Sequence, residues 1–86
     1  MSERAALAVL AALREGIQGQ IDSGDPPETE LTLTRLQADG MSGDEAWRWL
    51  SAVLLQELSA MIRDNRPFDR AGYIDALNRL PGLIER

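Results

Sequence analysis

The chain has 86 residues, a net charge of -5, and neither cysteine nor histidine. That length suits one domain near the lower limit for a self-sufficient core. The two missing residue types exclude disulfides, thiolate nucleophiles, sulfur-ligated metals and the usual general base near neutral pH. An acidic balance repels phosphate backbones, so nucleic acid is not an expected partner.

The opening "MSERAALAVLAALRE" has a short apolar run from Ala5 to Leu13, with Glu3 where a signal peptide would be basic and no clear cleavage site after it. It reads instead as the first helix, capped by Ser2 and running from Glu3 to about Ile21. Leu7, Leu10, Leu13, Ile17 and Ile21 recur every three or four residues and predict its buried stripe. Gly16 and Gly19 each weaken the second half by up to ~1 kcal/mol relative to alanine. Their simplest reading is tolerance near a frayed end; the alternative is close approach of another helix.

"DSGDPPETE" is the first break. Asp25 is positioned to cap a second helix, with Pro26 at its first position and Glu28 completing an Asp-x-x-Glu variant of the capping box. The "LTLT" that follows alternates like a strand. The cap before it and Gly40 after it, which suits a helix C-terminus, favour a helix. "GMSGDEAW" opens the third helix on an S-x-x-E box, Ser42 with Glu45. That helix should run to about Asp64, some ~33 Å, and form the spine of the fold. Asp69 caps the fourth helix, and Phe68 can pack on Tyr73 as a hydrophobic staple. Tyr73, Ile74, Leu77 and Leu80 supply its apolar face. Pro81-Gly82 stops it, leaving Leu83 and Ile84 on a short tail. The expected fold is all-α: a single compact four-helix domain over residues 1–86.

Three residues of the third helix raise the question of a site. At ~100° per residue, Trp47, Leu50, Leu54, Leu58 and Met61 share one face, flanked by Ala46, Val53 and Ile62, so Trp47 is expected in the core. Trp49 lies about 200° away from Trp47 and cannot share its pocket. It is either covered by another element or an interface anchor, with Leu55, Leu83 and Ile84 as further candidates for that interface. Glu57 falls inside the apolar arc, where a carboxylate must be paired, hydrogen-bonded or neutral. Arg35, Gln18, Gln20 and the Tyr73 hydroxyl are its candidate partners, with Glu57, Arg35 and Tyr73 expected to form an interhelical polar link. Arg63, Arg66 and Arg70 around the third break read as a solvated charged loop. Phosphate loops, nucleophile elbows, zinc-helix motifs and calcium loops are missing from the sequence.

"PPET" leading to "TRLQADGMSGDEA", then "RPFDRAGYIDALNRLP", resembles a group of small all-helical bacterial proteins of unknown function. Their pattern is a PPE-type helix start, an RLxxxG turn, an EA opening to a long helix and a final FDxxxYxxxLxxLP. The resemblance runs from about Pro26 to Pro81 and rests on caps, turns and core positions, so it implies a fold and no chemistry. Some members carry histidines near the first and third helices. This chain has none, which argues against a metal or acid-base role here.

The functional expectation is a non-enzymatic protein-interaction module of the cytoplasm that binds a protein partner or itself as a homodimer. No cofactor, metal or catalytic residue is expected, and no membrane, since no segment approaches the ~20 apolar residues of a span. The alternative is a small hydrolase or metal-dependent enzyme built on Glu57 and neighbouring acids such as Asp44 and Asp64.

Overall fold

In the computed structural model, which describes residues 2–82, three of the four helix starts follow the side-chain chemistry read from the sequence. The Ser2 hydroxyl accepts from the Ala5 N–H at 3.1 Å to open α1 (Glu3–Ser23). Ser42 accepts from the Glu45 N–H at 3.1 Å to open α3 (Gly43–Asp64). Asp69 accepts from the Gly72 N–H at 3.0 Å to open α4 (Arg70–Arg79). The Phe68 and Tyr73 rings meet edge to face with centroids 5.1 Å apart, which is the expected staple.

The start of α2 (Pro27–Ala38) corrects the expectation for Asp25 and Glu28. Pro26 is the capping residue, Pro27 occupies the first turn, and no side chain caps the helix. Proline at that position lacks the N–H that a cap would satisfy, so the carboxylate is not required there. Asp25 instead pairs with Arg70 at 2.7 Å, tying the α1–α2 turn to the first turn of α4. At the other end, the Met41 N–H reaches Leu36 O and the Gly40 N–H reaches Gln37 O, both at 3.1 Å. This is a Schellman closure, and Gly40 at φ 106° supplies the backbone it needs. The "LTLT" stretch is helical, and its alternation misleads for a definite reason. The buried stripe of α2 is Thr29, Thr32 and Leu36, at helical spacing, while Leu31 is exposed.

Among the described residues the four helices are the only regular elements, and α3 is the longest at 22 residues. It packs against α1, α2 and α4, as α2 does against the other three, whereas the backbones of α1 and α4 do not approach each other. The core draws Leu13 and Ile17 from α1, Leu36 from α2, Ala46, Leu50, Val53 and Leu54 from α3, and Tyr73, Leu77 and Leu80 from the last segment. No described helix is long and apolar enough to cross a membrane.

Length mismatch explains where the apolar stripes overran the core. α1 has 21 residues and α2 only 12, about 32 Å against 18 Å, so α2 cannot cover the whole of α1, and Leu10 faces α3 only across an open depression. Leu7, at 60 % exposure, and Leu10 therefore face solvent, contrary to the expected stripe. On α3 the buried arc is centred on Ala46, Leu50, Val53 and Leu54. Leu58 is partly exposed, and Ile62 is 84 % exposed. Trp47, expected in the core, is half-buried at its margin.

Polar bonds join the helices around this core. The Gln20 side-chain oxygen on α1 accepts from Thr29 Oγ1 on α2 at 2.6 Å and from the Tyr73 hydroxyl on α4 at 2.9 Å. Arg35 on α2 donates to the carbonyls of Leu80 at 2.7 Å and Leu77 at 3.1 Å, satisfying acceptors that the end of α4 leaves open. The two glycines of α1 differ. A Cβ on Gly16 would stand 3.2 Å from Leu54 Cδ2, so here α1 approaches α3 closely, as the less simple reading had it. A Cβ on Gly19 would meet nothing within 4 Å.

Gly19→Ala is therefore expected to stabilise the protein by up to ~1 kcal/mol, the full helix-propensity gain. Gly16→Ala should give no net gain, because Leu54 must shift to admit the methyl group. Urea unfolding of the two variants beside the wild type checks the difference.

Candidate functional site

Two places combine polar and apolar groups in a way that could serve function: the surroundings of Glu57, and the groove where α1 crosses α3.

Glu57 points from α3 toward the α3–α4 connection, and its side chain is only 10 % exposed. Its carboxylate receives Arg66 Nη1 at 2.8 Å and Nη2 at 3.1 Å, a two-pronged pairing, and the Asp69 N–H at 2.7 Å. Arg66 Nη1 also reaches the Pro67 carbonyl at 2.9 Å, so one guanidinium organises the whole connection. The Arg66 hydrogen bonds hold the Glu57 pKa below its ordinary value of 4.5; burial opposes this and the Asp69 N–H assists. A carboxylate held ionised by three donors is a structural tie. It lacks the raised pKa of a general acid, and three of its roughly four acceptor positions are taken.

Glu57 does link α3 to the next helix, but its partners correct the expected set. Arg35 lies at the opposite end of α4, and the Tyr73 hydroxyl turns toward α1, so Glu57, Arg35 and Tyr73 serve three separate bonds. Helical phase aims Glu57 correctly; it says nothing of Arg66, which reaches it from a non-helical loop. The available signal was a carboxylate within the apolar arc, followed nine residues later by an arginine before a proline. A depression of about 300 Å³ beside this tie is bordered by Val53, Gln56, Glu57, Ala60, Arg63 and Tyr73, among others. Arg63 in turn pairs with Asp64 at 3.2 Å, which lowers the Asp64 pKa. Among the described residues no group of three or more acids stands close enough together to hold a metal ion.

The second place is a groove of about 480 Å³ between α1 and α3, whose walls include Leu10, Leu13, Trp47, Ala52 and Leu55, with Arg14 and Arg48 at its rim. It continues past Arg14 and Trp47 into a more polar depression of about 530 Å³ reaching Glu15, Gln18 and Asp44. The Arg14 guanidinium lies 5.7 Å from the Trp47 ring centroid, a cation–π arrangement, and 3.8 Å from Asp44.

Helical spacing extends the apolar wall on both sides. Leu7 stands one turn before Leu10 on α1, and Leu58 and Ile62 stand one and two turns beyond Leu55 on α3; all five are exposed. Together they leave roughly 500 Å² of apolar residue surface in water, comparable to the largest patch on a typical monomer. Leu55 lines the groove itself. The tryptophan beside it is Trp47, whereas Trp49 is half-buried against the core on another side of α3. Leu83 and Ile84 fall outside the described residues.

Comparison with family models, with characterised proteins and with solved structures found no match.

The Glu57 tie has a pH signature. Because its folded-state pKa is lowered, its contribution is fully present above pH 4.5 and is lost as the pH falls through the lowered value. At neutral pH, Glu57→Ala should cost ~1–3 kcal/mol by leaving Arg66 and the Asp69 N–H without their acceptor. Glu57→Gln should cost less. The gap between wild type and either variant should close as the solution is acidified below pH 4.5, as read by urea unfolding at a series of pH values.

Proposed function

We propose that this protein is a non-enzymatic helical interaction module whose working surface is the α1–α3 face. The observation that carries this reading is the apolar surface of Leu7, Leu10, Leu55, Leu58 and Ile62, which runs into a groove already formed between two helices. A standard interface covers about 800 Å² per partner, a little over half of it apolar. The roughly 500 Å² exposed here is the apolar share of one such side. Isolated exposed leucines need no explanation, but four leucines and an isoleucine along two adjoining stripes are surface that water penalises and a partner would cover.

The small core gives the same surface a second use. A domain of this size rarely gains more than ~3–5 kcal/mol from one core, and association adds stability by mass action. Self-association as a homodimer is one form the interaction can take. The chemistry around Glu57 favours this reading over the enzymatic one, since its carboxylate is committed to Arg66 and Asp69.

The paired substitution Leu10→Glu with Leu55→Glu tests the proposal. Both positions are exposed, so helix content by circular dichroism should be unchanged. Partner binding, whether dimerisation read by light scattering or retention of a host protein on the immobilised chain, should weaken by ~2 kcal/mol or more. A wild type that is monomeric at high concentration and retains nothing the variant loses would refute the module.

A further inference from the structure

We infer that the α1–α3 groove receives an amphipathic helix with an acidic flank, supplied by a different protein. The inference rests on the interaction-module reading and identifies the partner by its chemistry. Two helices that flank an apolar cleft offer a seat for a third, which anchors through residues at i, i+3 or i+4, and i+7. The exposed stripes are scaled for that. Leu55 to Ile62 advances seven residues along α3, about 10 Å, enough for a partner's apolar ridge of about two turns.

Charge selects the flank. The chain carries a net charge of -5, yet both charged side chains lining the apolar part of the groove, Arg14 and Arg48, are cationic. Arg48 makes no ion pair among the described residues. Arg14 has only a long, exposed contact with Asp44, of the kind that contributes little. Two guanidinium groups beside a greasy cleft favour carboxylates on an incoming helix and disfavour lysines or arginines. Glu15 and Asp44 line the polar continuation beyond Trp47, so the partner's acids belong at the Arg48 side and not at that end.

The same charges argue against a second copy seated by two-fold symmetry. In such a dimer the face must fill its own groove with one of its own ridges. The α1 ridge, Leu7 and Leu10, has Glu3 and Arg4 one turn before it and Arg14 one turn after it, and the α3 ridge follows Arg48 by two turns. Either choice carries at least one arginine into an interface whose rim is already cationic, where a helix with a wholly acidic flank carries none.

The test uses the full chain as bait for a displayed library of helical peptides with an apolar ridge at i, i+3 and i+7 and randomised flanking positions. Aspartate and glutamate should be enriched on one flank of the peptides retained by the wild type. Arg48→Glu should shift the enrichment toward lysine and arginine, and Arg48→Gln should abolish the preference. The best acidic peptide should bind the wild type at least ~10-fold more tightly than it binds Arg48→Glu, and the difference should shrink with added salt. Circular dichroism of each exposed-site variant confirms that it is folded. Retention of ridge peptides without a charge preference would overturn the acidic flank and leave the module standing. If nothing is retained and the wild type is a dimer that Leu55→Glu dissociates, the occupant is a second copy and the inference fails while the module survives. If nothing is retained by a monomeric wild type, both fail.

Discussion

One carbonyl oxygen, on the Gln20 side chain, joins three of the four helices that share the core. Since the backbones of α1 and α4 stay apart, the hydroxyls of Thr29 and Tyr73 converging on that oxygen form the polar junction at which α1, α2 and α4 meet. Burial raises the Tyr73 pKa, so the phenol stays protonated and able to donate across the ordinary pH range. The junction also accounts for the composition of α2. Its buried face needs a short hydroxyl side chain at Thr29 to bond Gln20 at 2.6 Å, so a threonine stands there where an ordinary core helix would carry a leucine. With α2 fixed in this way, Arg35 two turns beyond Thr29 reaches the last carbonyls of α4, and the fourth helix is set against the first three.

Much of this architecture can be read from the sequence, because a cap or a staple is a local matter. Ser2, Ser42 and Asp69 each find their N–H within three residues, and Phe68 finds Tyr73 within five. Reading fails where the deciding partner is remote. The spacing of Leu7, Leu10 and Ile62 identifies a helix face but not whether a neighbour is long enough to cover it. The sequence marks Glu57 as a carboxylate needing partners, and those partners come from a loop that has no period to extrapolate. Gln20 and Tyr73 were both candidate partners for Glu57, yet they bond each other. Asp25 fails for the opposite reason: two successive prolines already supply the helix start, which frees the carboxylate for Arg70. For the candidate surface, the two-residue offset of Trp47 and Trp49 shows that they face apart. Which of them meets the groove depends on where α1 crosses, a tertiary fact.

All nine basic residues are arginine. The structure uses the planar guanidinium for tasks an ammonium group performs poorly. Arg35 spans two backbone carbonyls, Arg66 grips both oxygens of a carboxylate, and Arg14 lies over an indole ring. Each holds together segments that a core of ten buried apolar residues leaves loosely tied. The same chemistry at the groove rim, where Arg48 has no such duty, gives the exposed face its electrostatic character.

The two ends of α4 are moored by unlike chemistry. At its C-terminal end, a permanently charged guanidinium meets backbone carbonyls, a pairing that no accessible acidity disturbs. At its N-terminal end, a titratable carboxylate grips the Asp69 N–H. Strong acid therefore loosens the helix at one end only. The tie that is lost is the one ahead of its first turn, while Tyr73, Leu77 and Leu80 remain seated in the core.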